Sequence, residues 1–241
     1  MKNSNKLLLI AVGSLFGGVL VCLVIFKLAV SHRVEQAEIA MPQTKDATPI
    51  TRVYDLKYFS TVKASGDWQL RLDQADAYTV KVEMPAYLEP GVVVAKERTV
   101  LRLKLAPGWR LDGGELKAQI TLPKLQKMSL SGAVTTRLVG FDTERLKIKA
   151  SGATRISGKD NRVYYLSVDG AGSFAMNFHG NPVRFVEIDL SGSSRIGLTM
   201  AGGDLKGRIS GSGQVSYDGE IRDQEVEISG SGIIKRLSSE R

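Results

Sequence analysis

Side chains able to do chemistry are sparse in this chain, so their spacing carries most of the information. Histidine occurs twice, at His32 and at His179 within NFHGNP. Two imidazoles so placed all but exclude a Ser–His–Asp triad or a histidine-rich metal site, and His179 reads as a loop or turn residue. Carboxylates come in close pairs, Asp142 with Glu144, Asp218 with Glu220 and Asp223 with Glu225. Such pairs can serve as acid and base or as calcium ligands. Each falls in a polar connection without an EF-hand or glycine-rich calcium repeat, so a solvated turn is the simpler reading. GAGSFA at Gly170 and SGSG at Ser210 and Ser229 resemble phosphate-binding loops, but no helix follows and SGSG lacks the lysine. No catalytic residue, metal site or cofactor is therefore expected. What remains is a pair of arginines, Arg155 and Arg195, whose guanidinium forks suit sulfate, phosphate or uronate groups.

The element that positions those arginines is a repeat. A small polar residue followed by glycine recurs in MSLSGA, KASGAT, SVDGAG, DLSGSS, RISGSG and EISGSG, giving the turn glycines Gly132, Gly152, Gly170, Gly192, Gly211 and Gly230. Their spacings are 20, 18, 22, 19 and 19. Glycine at each step suits a positive φ or a bend too tight for a side chain. The residue before each Ser-Gly or Asp-Gly pair is apolar: Leu130, Ala150, Val168, Leu190, Ile209 and Ile228. Odd offsets are mostly apolar and even ones polar, the period of strands with one buried face. Recurrence at a fixed interval predicts an all-β, right-handed parallel β-helix or β-solenoid of about 20-residue Ser-Gly rungs. An antiparallel meander is the competing fold.

On that expectation Arg155, Ser173, Arg195, Gln214 and Ile233 share one outward column, with the two arginines two layers or roughly 9–10 Å apart. A solvated, aggregation-resistant face is the plainer reading of the same column. Trp68 and Trp109 could stack on sugars, although alternation puts at least one of them into the core. Before Ser131 the chain reads as less regular strands broken at Pro85, Pro90, Pro107 and Pro123.

Ahead of the repeat, Leu7 to Phe26 carries twenty residues without a charge. That length crosses a bilayer once as a helix. Lys27, His32 and Arg33 follow where a cleaved signal would show small residues, so an uncleaved anchor is expected. Val21 before Cys22 argues against lipid attachment there. The expected organisation is a cytoplasmic tail 1–6, a transmembrane anchor 7–30, a stalk 31–51, a β-repeat domain 52–237 and a tail 238–241. The net charge of +8 favours acidic partners. Basic residues are spread among Asp and Glu with no basic helix or zinc spacing, which argues against nucleic acid.

VKASGDWQLRLDQADAYTVKVE, the ITLPKLQKMSLSG junction and the SGS(G/S) steps together resemble the head GIN domain family of putative auto-transporter adhesins, over about residues 52–237. The resemblance implies a right-handed β-helix-like fold, export to the bacterial envelope and an adhesin-type role, and it supplies no catalytic residues. The expectation is a non-enzymatic, single-pass protein of the bacterial inner membrane with its bulk in the periplasm, binding an anionic glycan or an envelope protein. The alternatives are a carbohydrate-active enzyme and a structural or assembly subunit.

Overall fold

The structure, a computed structural model, describes residues 47–237. Ten strands are present: β1 (Pro49–Tyr54), β2 (Thr61–Gln74), β3 (Thr79–Pro85), β4 (Val92–Glu97), β5 (Val100–Leu105), β6 (Lys117–Leu122), β7 (Lys127–Val139), β8 (Asp142–Lys159), β9 (Arg162–Gly230) and β10 (Ile233–Arg236). They form one mixed sheet in the order β1-β3-β6-β2-β7-β8-β9-β10, with β5 beside β2 and β4 beside β5.

The parallel part follows from the repeat. In β2, Val62, Ala64, Trp68, Leu70 and Leu72 are buried while Lys63, Gln69 and Arg71 face out, and the alternation is interrupted by the exposed Gly66 at φ +110. Gly66 lies opposite Gly132, Gly132 opposite Gly152, and Gly152 opposite Gly172. A straight strand of 69 residues would exceed about 200 Å, so β9 must bend, and it does so at glycines. A Cβ on Gly192, Gly211 or Gly230 would lie 2.7 Å from the carbonyl oxygen of Gly172, Gly192 or Gly211 respectively. Successive bends therefore stack backbone on backbone, with no room for a side chain between them.

Two expectations are corrected. The uniform right-handed β-helix or β-solenoid is replaced by a mixed sheet, because β1 pairs antiparallel with β3, β3 with β6, and β4 with β5. The two-residue loop Arg98–Thr99 turns β4 straight back on β5, with Arg98 at φ 53. β5 and β6 still run parallel to β2, so the antiparallel pairing is confined to the contacts of β1, β3 and β4. The second correction concerns Gly170, which is buried in the inward column and has no positive φ. Gly172 takes the bend instead, at φ +84. Gly170 makes room for Phe174, whose Cδ1 would stand 2.8 Å from a Cβ there. With Gly172 in place the intervals from Gly132 become 20, 20, 20, 19 and 19.

The expected transmembrane helix at 7–30 lies outside the described residues. No helix among those described is long and apolar enough to cross a membrane. β1 begins at Pro49, inside the segment read as a stalk.

The core is a stack of inward columns such as Met128, Ile148 and Val168, all buried. Trp68 belongs to it, donating Nε1–H to Ser65 O at 3.1 Å. Asn161 and Asn181 form a buried ladder. The Asn161 amide donates to Asn181 Oδ1 at 2.8 Å and its own Oδ1 accepts from Phe141 N at 2.9 Å, so the polar groups are satisfied.

Gly152→Ala tests the stacked bends against the backbone conformation alone. Its Cβ would sit 2.8 Å from Gly132 O at φ +88, whereas Gly140 at φ +75 has nothing within 4 Å. Gly152→Ala is expected to cost about 2–3 kcal/mol in urea unfolding and Gly140→Ala about 1. Equal losses would mean that the contact between bends contributes nothing.

Candidate functional site

Charges are arranged differently on the two sides of the glycine bends. Before the bends several charges are neutralised between layers, Lys149 with Asp169 at 2.8 Å, Arg208 with Asp189 at 2.8 Å, and Lys206 with Glu225 at 3.0 Å, while Lys127 stands opposite Lys147. Hydrogen bonds to these carboxylates raise the pKa values of Lys149, Arg208 and Lys206.

After the bends Arg71 is held by Asp73 at 2.8 Å, but three further arginines have no carboxylate partner among the described residues. Arg155 is exposed and lies opposite Thr135 on one side and Ala175 on the other. Because Gly192 stacks on Gly172, Arg195 comes over Ala175, so the arginines share a column with Ala175, not Ser173, between them. Arg195 Nε donates to Gln214 Oε1 at 3.4 Å, and Gln214 is opposite Ile233. Arg137, opposite Arg71 and Ser157, is exposed one layer from Arg155. Among the described residues neither Arg137 nor Arg155 has an ion pair. Arg137 escaped the sequence reading because it lies in the next outward column.

The same face holds a group that the sequence concealed. His179 Nδ1 lies 2.8 Å from Asp218 Oδ2, and Nε2 lies 3.4 Å from Ser216 Oγ. The ring crosses the intervening layer over Gly197, where a Cβ would fall 2.4 Å from Nε2. The members are those of a hydrolase triad, but Ser216 Oγ also lies 3.3 Å from Ile196 O. Ser216 sits on a paired strand, opposite Lys235. The arrangement acts as a clasp across three layers. His32 lies outside the described residues.

The carboxylate pairs do not converge on a centre. Asp223 and Glu225 both approach Lys206, Asp218 faces His179, and Asp142 N is held by Gln74 Oε1 at 2.8 Å. No group of three metal-ligating side chains occurs among the described residues. Trp109 is half-buried against the core, above Gly91.

A second bend, where two consecutive residues face outward, collects aromatic and cationic side chains. Tyr164 meets Phe185 edge-on at 5.3 Å, and Arg184 lies 5.6 Å from both rings. Arg145 lies 5.0 Å from the Tyr165 ring, and Arg222 lies 5.8 Å from that of Phe185. Arg222 grips Asp204 through two hydrogen bonds of 2.9 and 2.8 Å, which lower the Asp204 pKa. Tyr165 donates to Glu187; that bond, with burial second, raises the phenol pKa.

The family described as "Putative auto-transporter adhesin, head GIN domain" matches residues 58–185, more than half of the chain. The chain belongs to this head GIN domain family. The GIN domain's fold is also similar to a putative adhesin from Bacteroides fragilis, with 17% identity and a TM-score of 0.61 over 80% of this chain and 99% of that one. A structure described as a putative lipid binding protein from Parabacteroides distasonis aligns with 18% identity and a TM-score of 0.50, covering 79% and 97%. No curated protein matches the chain.

The Tyr165–Glu187 bond in this GIN domain has a pH signature. A phenol whose folded pKa is raised contributes stability that is fully present below its ordinary value of 10.0 and lost as pH rises through the folded value. Tyr165→Phe should remove one late-titrating component from the phenolate absorbance curve. The stability difference between this variant and the parent should shrink above pH 10.0. An unchanged titration curve would show that the bond does not form in solution.

Proposed function

We propose that the GIN domain is a non-enzymatic, adhesion-type binding module of the bacterial envelope whose arginine face takes an extended anionic glycan. The observation that carries the reading is the group of exposed arginines after the glycine bends. Among the described residues Arg137 and Arg155 have no ion pair and Arg195 meets only a neutral amide, whereas Lys149 and Arg208 before the bends are held by carboxylates of a neighbouring layer. An exposed guanidinium offers a two-pronged donor to sulfate, phosphate or uronate, and several along a stack suit a polymer better than a single small ion. The family description supports an adhesin-type role. The uncharged segment Leu7 to Phe26 supports a single-pass anchor in the inner membrane with the β domain on the periplasmic side.

A glycan-cleaving enzyme would need carboxylates converging across a cleft. Asp223 and Glu225 both engage Lys206 and Asp218 faces His179, so these carboxylates are directed to separate partners, which favours binding without cleavage.

The test is binding of the full chain to sulfated and uronate-containing glycans at low and high salt. Arg155→Ala/Arg195→Ala should weaken binding about tenfold or more, on the order of 1 kcal/mol per exposed charge. The salt dependence should flatten with it. Binding indifferent to the double variant would discard the arginine face, and binding to no glycan would redirect the search to envelope proteins.

A further inference from the structure

The aromatic bend opens into a cavity that the arginine face does not account for. One inward column runs Met128, Ile148, Val168, Ile188, Gly207 and Val226, apolar throughout except for a glycine at one step. Gly207 sits at φ +135 so close to the preceding layer that a Cβ would fall 1.8 Å from Ile188 O. A cavity of about 340 Å³ reaches this glycine from the surface. Tyr165 and Phe185 line it together with Glu187, Asp204 and Lys206. That volume falls within the range of small-ligand sites.

The chemistry of the lining narrows the ligand. Two carboxylates, Glu187 and Asp204, are balanced by Lys206 and by the Arg222 that grips Asp204. A free anion would meet both carboxylates, and Lys206 is already engaged by Glu225 and Asp223. A free cation would find Asp204 already held by Arg222 and would meet Lys206 in the same lining. A neutral ligand with an apolar face and several hydroxyls fits instead. Its C–H face would rest against the aromatic side chains, and its hydroxyls would donate to carboxylate oxygens held in place by Tyr165 and Arg222.

We propose that this cavity is a binding site for one neutral pyranose unit of an oligosaccharide. The site lies on the other side of the glycine bends from Arg155 and Arg195 and stands independently of the anionic-glycan reading. Tyr165 and Arg222 act as positioning residues, since their bonds orient Glu187 and Asp204; Phe185 and Glu187 make the contacts.

Saturation-transfer NMR and calorimetry on the full chain, with neutral gluco-, galacto- and manno-oligosaccharides as probes, decide the matter. At least one series should bind, with an affinity that does not change with salt and is not displaced by a uronate polymer. Phe185→Ala and the near-isosteric Glu187→Gln should each weaken it about tenfold, the effect of losing one aromatic contact or one charged hydrogen bond. Glu187→Gln keeps the test valid should Phe185→Ala disturb the stacked arginines. No binding by any neutral series, or binding that neither variant weakens, overturns the site. Loss of anionic-glycan binding in Arg155→Ala/Arg195→Ala bears only on the other face.

Discussion

Contact between successive glycine backbones sets the geometry from which the parallel part of this structure follows. Where Gly132, Gly152 and Gly172 meet, each Cα approaches the carbonyl oxygen of the layer before it, and any side chain would force the layers apart. Holding these bends in register fixes which residues face inward on both sides of them, because the side-chain period of a strand is two and a slip of one would exchange core for surface. The buried columns and outward charges are thus two readings of one alignment. The buried asparagine ladder at Asn161 and Asn181 gives it a second, hydrogen-bonded lock.

This alignment also explains why charges are paired in some columns and not in others. A residue and its counterpart one layer on are neighbours at the strand spacing, about 4.8 Å, so placing Asp189 below Arg208 neutralises both. Where the sequence places Ala175 between Arg155 and Arg195, neither finds an acid in its own column. Exposed, unpaired charge here is a matter of which outward positions lack an opposite charge in their own column, and it requires no departure from the regular backbone.

Much of this was legible before any coordinates. The recurring Ser-Gly pairs marked the bends, the alternation marked the buried face, and Arg155 and Arg195 do share an outward column. The register at one layer was not legible, because SVDGAGSF holds two glycines two residues apart and both keep the same alternation. Packing decides between them: Phe174 needs the space over Gly170, which leaves Gly172 to bend. The antiparallel pairing of β1, β3 and β4 was hidden for another reason, since short alternating strands state which face is buried but not which neighbour they choose. His179 and Asp218 stand 39 residues apart. Only the register reveals that this is two layers, so a histidine without local partners in sequence has one in space.

The change of interval from 20 to 19 takes place at Gly202–Gly203, where a Cβ on Gly203 would fall 1.9 Å from Arg184 O. Two adjacent glycines there absorb one missing residue without disturbing the columns beyond them. Length in this architecture is consequently quantised. Whole repeats can be gained or lost as units that bring their own bend and core, whereas single-residue insertions or deletions are confined to the few corners where glycine gives the backbone slack. Descendants of such a chain can vary in reach far more readily than in cross-section, and a surface lengthened in whole repeats would extend its outward columns without redesigning them.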